Sequence, residues 1–255
     1  MENIPQLRSN QDPGFSSCNF AGGAFMSVTL AIYVQGCARS GNTLMRELCV
    51  SAFCGTELVR ITKHRAECSL SHLVDLLRQP TASSLVHVAS RNRENMLFMS
   101  LELLRANPGV KVLWMLRDPR DVLTSIHADQ PGKFYVLPER LIRSLQLYGQ
   151  FKNEVQVLTI RYEELVTNPE AIQARVAQTF NLTERRSFAA AYKFFPRFYE
   201  NVRAMHSIRP IDTNSLHKWR NNPAYQEYLQ QVFTDYPGLI PLARECGYEI
   251  TLGTA

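Results

Sequence analysis

The sequence predicts an α/β domain of three layers, a central parallel sheet flanked by helices. Three observations predict it. Continuously apolar, β-branched runs recur along the chain, as in "SVTLAIYVQG", "VKVLWML" and "VQVLTIRY", and read as strands buried on both faces. Segments with helical apolar spacing separate them. Helix start and stop residues, such as Asp118-Pro119, Asn168-Pro169 and Pro108-Gly109, stand at the junctions. Strands alternating with helices pair in parallel through right-handed crossovers, and ligands of such sheets bind at the carboxyl ends of the strands.

Residues 1–25 are polar and lack the apolar core of a signal peptide, so they read as an extension ahead of a single domain spanning 26–255. "SVTLAIYVQG" is the first strand, and "GNTLMRELCVSAF" follows as a helix with Leu44, Leu48 and Ala52 on one face. "LVRIT" and "SSLVHVAS" are short strands, and "NRENMLFMSLELLRAN" is a helix stopped by Pro108-Gly109. "VKVLWML" is the clearest strand. "PRDVLTSIHAD" begins a helix, with Asp118 as N-cap and Pro119 in the first turn, which puts Ser125 about two turns along it. "ERLIRSLQLYGQFKN" is a helix, "VQVLTIRY" a strand, "PEAIQARVAQTFN" a helix opened by Pro169, and the remainder is mostly helical.

Bulk properties narrow the function classes. A chain of 255 residues with 45% apolar and 20% charged residues suits one soluble domain. The net charge of +5 favours an anionic ligand, but no dense Lys/Arg block or recognition module points to nucleic acid. No apolar run is long enough to span a membrane. The six cysteines, at 18, 37, 49, 54, 68 and 246, have neither zinc-site spacing nor the density of a disulfide scaffold, so a reducing cytoplasmic setting is expected. Nothing in the sequence sets the oligomeric state.

Two stretches carry chemistry. "YVQGCARSGNT" is almost a phosphate-binding loop: a buried strand leads in, Gly36 and Gly41 permit tight turning, Ser40 and Thr43 supply hydroxyls, and a helix follows whose N-terminal amides face an anion. The Walker pattern needs Lys after the second glycine, where Asn42 stands, and the cation, Arg39, lies inside the loop. The alternative is an ordinary glycine-containing turn. The second stretch, "VLWMLRDPRDVLTS", places Arg117 at a strand tip and Ser125 eight residues on. Arg117 is suited to clamp a phosphate with its rigid fork of donors, or else pairs with Asp118 or Asp121 structurally. Arg120 is expected in solvent.

Together, "GCARSGNT" and "RDPRDVLTS" resemble the sulfotransferases that use 3′-phosphoadenosine 5′-phosphosulfate (PAPS), a family with a P-loop-like fold. "VLTIRYEELVTNPEAIQARV" resembles that family's strand-Tyr-Glu segment, and "RPIDTNSLHKWR" its late nucleotide-closing loop. The resemblance runs from Ile32 to Arg220 with the order of the motifs kept. It implies that Arg39 contacts the bridging oxygen and the sulfonate, that Ser40, Gly41, Asn42 and Thr43 bind the 5′-phosphate, and that Arg117 and Ser125 bind the 3′-phosphate. It places Leu44 where some members carry an adenine-stacking aromatic residue, Tyr162 near the adenine or 3′-phosphate, and Arg209, Ser215, Leu216, His217 and Lys218 in the closing loop. Trp219 is expected as a packing anchor, the alternative being a base-stacking residue. No metal is implied, and adenosine 3′,5′-bisphosphate (PAP) is the product.

The general base is open. His87, Glu94 and His64 are candidates, with Arg91 in a cationic role and His127 either lining the site or facing solvent; His87 alternatively is a structural mid-strand residue. The acceptor is expected to be a small molecule bearing a hydroxyl or amine, and natural-product biosynthesis is the guess. Tyr192, Phe194, Phe195, Phe198 and Tyr199 wall its pocket or form an aromatic core face. A P-loop kinase of a small metabolite and a non-catalytic nucleotide binder are the alternatives; the kinase lacks its loop Lys.

Overall fold

A computed structural model describes residues 30–59, 67–78, 86–91, 99–127, 130–197, 202, 205 and 207–251. The extension expected over 1–25 lies outside them, as do the candidate bases His64 and Glu94 and the aromatic residues Phe198 and Tyr199. In chain order the elements are β1 (Leu30–Gly36), α1 (Asn42–Ala52), β2 (Thr56–Leu58), β3 (Glu67–Cys68), α2 (Leu70–Leu77), β4 (Val86–Arg91), α3 (Leu101–Arg105), β5 (Val110–Leu116) and α4 (Pro119–Leu123). Then come β6 (Ile126–His127), β7 (Gln130–Phe134), α5 (Pro138–Phe151), β8 (Val157–Arg161), α6 (Tyr162–Thr167), α7 (Pro169–Phe180), α8 (Phe188–Ala191), α9 (Pro223–Asp235) and α10 (Leu239–Glu245).

The sheet runs β2-β4-β1-β5-β8, all parallel, with β3 also alongside β4. The runs read as strands are buried because both faces are covered. Ala31, Tyr33, Val112, Trp114 and Leu116 face one core, shared with α2, α5, α9 and α10. Ile32, Val34, Leu113 and Met115 face the other, shared with α1, α7 and α8. From β1 the chain crosses to the β2–β4 side; from β5 it crosses to β8. The carboxyl ends of β1 and β5 are therefore the switch point, where the open sheet leaves a crevice.

The helix expected from Pro119 is shorter than its sequence suggested. Asp118 caps it by accepting from the Arg120 N–H at 2.9 Å, but it ends at Leu123. The Thr124 hydroxyl donates back to the Arg120 carbonyl at 2.6 Å, and the antiparallel pair β6–β7 starts directly after. Ser125 thus sits beyond α4 rather than two turns along it.

Candidate functional site

The loop between β1 and α1 is shaped by two glycines. Gly36 has φ +147°, and a Cβ there would lie 2.4 Å from the Met115 carbonyl oxygen on β5. Gly41 has φ +94°, and a Cβ would lie 2.6 Å from Cδ2 of Tyr162. Arg39 takes a left-handed φ of 69°, which a side chain bearing Cβ holds only where its surroundings impose it. Asn42, in the position of the missing Lys, turns inward: its Nδ2 donates to the carbonyls of Gly36 at 3.2 Å and Cys37 at 3.0 Å. It braces the loop from within. No side chain caps the N-terminus of α1 and no acidic residue lies in its first turn, which leaves its first amides suited to an anion.

The second cluster comes from the tip of β5 and the turn after α4. Arg39 Nε donates to Ser125 Oγ at 2.7 Å. Arg117 Nη1 donates to the Arg39 carbonyl at 2.9 Å, and its Nη2 to the Ser215 carbonyl at 2.6 Å. The Arg117 guanidinium lies 4.4 Å from the centre of the Tyr162 ring, and the Tyr162 hydroxyl and Ser215 Oγ are 2.8 Å apart. Burial depresses the pKa of Arg39, and the neighbouring charge of Arg117 depresses it further. Two guanidiniums, three hydroxyls and a helix N-terminus thus converge at one crevice, an arrangement that holds anionic oxygens.

Most residues singled out from the sequence meet here: Arg39, Ser40, Gly41, Asn42 and Thr43 in the loop, Arg117 and Ser125 beside it, Tyr162 over Gly41, and Ser215 and His217 in the late loop. Leu216 belongs to a turn in that loop, its N–H donating to the Thr213 carbonyl at 2.9 Å, and Lys218 is exposed. Arg209 forms an ion pair with Asp212. Leu44 packs against the core shared with α1.

Other expectations are corrected. His87 lies opposite Ala31 near the start of β4, whereas the loop leaves β1 at Gly36. At the ordinary rise of a strand it is roughly 16 Å from the loop. It is buried, with Nδ1 2.7 Å from Glu57 Oε1, which matches the alternative reading of a structural mid-strand residue. Arg120 is not in solvent: it forms a bidentate pair with Asp118 and its guanidinium lies 4.4 Å from the Trp219 ring centre. That pairing occupies Asp118, so Arg117 is directed to the two backbone carbonyls instead. Tyr192 and Phe195 pack into the core with α1 rather than lining a pocket, while Phe194 is exposed against the Arg186 guanidinium. The side chains of Arg91 and His127 lie outside the described residues.

Two contributors were not singled out as site residues. Tyr135, after the β6–β7 hairpin, lies with its ring centre 5.4 Å from the Arg39 guanidinium, and its N–H donates to the Ser125 carbonyl at 2.8 Å. No motif marks it. Asp121 accepts from the His217 N–H at 3.0 Å. Its position three residues after the cap Asp118, on the same helical face, was the available signal.

The sulfotransferase domain family matches residues 31–188, more than half of the chain. Among solved structures, the chain resembles the sulfotransferase domain of the Synechococcus PCC 7002 olefin synthase, at TM-score 0.56 and 16% identity over 88% of this chain and 96% of that one. It also resembles the sulfotransferase domain from the curacin biosynthetic pathway, at TM-score 0.53 and 14% identity over 88% of this chain and 99% of that one. No curated protein matches the chain by sequence. The matched span contains the loop, the Arg117–Ser125 stretch and the Tyr162 segment; with the fold it establishes that the chain belongs to the sulfotransferase domain family and is a transferase of sulfonate groups.

Proposed function

We propose that the donor is PAPS and that the acceptor is a hydroxyl or amine of a small molecule, in keeping with the biosynthetic systems from which the two similar domains come. The observation that carries this reading is the convergence of Arg39, Arg117 and Ser125 beside an uncapped helix N-terminus at the switch point. PAPS carries two separate phosphorylated positions, and the crevice has two groups of donors. The loop from Gly36 to Thr43 and the start of α1 take the 5′-phosphate; Arg117, Ser125 and the late loop take the 3′-phosphate.

As the acceptor attacks sulfur in line, the bond from sulfur to the bridging oxygen breaks and negative charge grows on that oxygen. Arg39 stabilises it, and backbone donors of the loop share the charge. An interaction that strengthens toward the transition state lowers the barrier. Arg39 leaves Ser125 to do so, because the 3′-phosphate takes over that hydroxyl. The PAP product then departs with both phosphates. A cytoplasmic enzyme fits the composition, and no helix among the described residues is long and apolar enough to cross a membrane.

A kinase loses support because the Walker Lys position is Asn42, whose amide is committed to loop carbonyls. Thermal denaturation with ligands separates the readings. PAP is expected to raise the melting temperature well beyond ATP with magnesium at equal concentration, since stabilisation of the folded state grows with the logarithm of ligand concentration over its dissociation constant. Equal or larger stabilisation by ATP with magnesium would favour the kinase.

A further inference from the structure

The segment from Arg117 to Asp121 does more than present a phosphate ligand. Three of its side chains each hold a different residue of the late loop. Arg117 Nη2 donates to the Ser215 carbonyl at 2.6 Å, Asp121 Oδ2 accepts from the His217 N–H at 3.0 Å, and the Arg120 guanidinium lies 4.4 Å from the Trp219 ring centre. From a second side, the Tyr162 hydroxyl meets Ser215 Oγ at 2.8 Å. No strand pairing and no α-helix fixes residues 209–217, so these contacts position the loop. His217 has a left-handed φ of 55°, a conformation that its anchors must sustain.

This interface is also incompletely satisfied. Arg117 Nε, Asp121 Oδ1, His217 Nδ1 and Trp219 Nε1 are all buried without a hydrogen-bond partner. Burying such atoms unpaired is costly, and a loop docked for packing alone gains nothing by retaining them. Asp121 is only 4% exposed and faces Arg117, Asp118 and His217. Asp118 is already paired with Arg120, so Asp121 is the carboxylate left to oppose Arg117. Burial pushes its pKa up, while the His217 N–H and the Arg117 charge work in the other direction.

We propose that Asp121 is a positioning residue of the donor site: it holds the late loop, through His217, across the carboxyl end of β5, so that the loop and Arg117 together grip the 3′-phosphate. This rests on the reading of PAPS as donor. Asp121 does not touch the phosphate, which its carboxylate would repel; it acts through the loop backbone and Arg117. The loop assigned to the 5′-phosphate meets this interface through Arg117 and Tyr162, whereas Asp121 is bonded to the late loop through His217.

The test is calorimetric binding of PAP and of adenosine 5′-phosphate to the wild-type protein, Asp121→Ala, Asp121→Asn and Trp219→Leu. Asp121→Ala is expected to weaken PAP roughly ten- to hundredfold, the range for loss of a charge-assisted hydrogen bond, and to leave adenosine 5′-phosphate nearly unchanged. Asp121→Asn keeps an oxygen for the His217 N–H and should restore most of the PAP affinity, a rescue that general destabilisation does not produce. Parallel weakening of both ligands, or failure of Asn to rescue, would overturn the proposal. Trp219→Leu removes an anchor from the loop side and must show the same selective loss; if it binds PAP like wild type, the proposal fails, even where Asp121→Ala does not fold. Wild-type protein with no preference for PAP over adenosine 5′-phosphate would instead overturn the donor reading beneath it.

Discussion

Arg39 stands between two tasks. Its side chain donates to Ser125, on the side of the crevice assigned to the 3′-phosphate, while its backbone carbonyl receives Arg117. Its proposed catalytic task is at the bond that breaks. Burial and the charge of Arg117 make its own charge costly, and a dianionic ligand relieves that cost. Because bridging-oxygen charge is larger in the transition state than in the bound donor, Arg39→Ala is expected to lower turnover by a factor on the order of 10²–10³, as loss of a preorganised donor does. PAP, lacking the sulfonate, should bind the variant almost as well as wild type, and Arg39→Lys should recover part of the rate. Single-turnover sulfonation of an acceptor found by mass-spectrometric screening, set beside PAP calorimetry, gives both quantities. Equal loss of rate and affinity would reduce Arg39 to a gripping residue. The sequence named Arg117 and Ser125 together in one stretch and Arg39 apart from them in the loop, because each stands in a recognisable local pattern. It did not show that Arg39 touches Ser125, 86 residues away, because that contact exists only once β1 and β5 lie side by side.

At the scale of elements, the β1–α1 loop is held against β5 and α6 by the absence of two side chains. Gly41 combines a φ of +94° with the Tyr162 ring 2.6 Å from where a Cβ would sit. Gly41→Ala is therefore expected to destabilise the fold by roughly 1–3 kcal/mol, from strain at positive φ and displacement of the ring. Denaturant unfolding measures this, and Tyr162→Ala in the same chain should return the part that is steric. If Gly41→Ala unfolds at the wild-type midpoint, the loop has more room than this geometry gives it. The same scale shows where periodicity misleads. "PRDVLTS" continues a helical pattern, but α4 stops at Leu123 and the residues after Ser125 pair as β6–β7 instead. His87 shows the converse: as a residue type it suits a base, but its register opposite Ala31 sets it near the wrong end of β4, and register is not written in the residue itself.

For the whole molecule, function follows from topology. β1 sends its chain to one side of the sheet and β5 sends its chain to the other, so the loops after them part and leave a crevice lined by amides and guanidiniums. The apolar runs made the strands and their parallel pairing legible, since strands covered on both faces have no polar positions to mask the pattern. The late loop was legible only through family resemblance, and its anchorage to Arg117, Arg120, Asp121 and Tyr162 was not, because three of those contacts span nearly a hundred residues and the fourth about half as many. The central claim is that this crevice holds two phosphates of one nucleotide at two distinct groups of donors. Calorimetry of PAP and adenosine 5′-phosphate on wild-type protein and Arg117→Ala tests it most directly. Arg117 is proposed to bind the 3′-phosphate and reaches the 5′-phosphate loop through the Arg39 carbonyl, away from the phosphate itself, so the variant is expected to lose roughly 1.5–3 kcal/mol of PAP binding while holding adenosine 5′-phosphate nearly as before. If Arg117→Ala weakens both ligands alike, or neither, the crevice is not divided in this way and the account is contradicted.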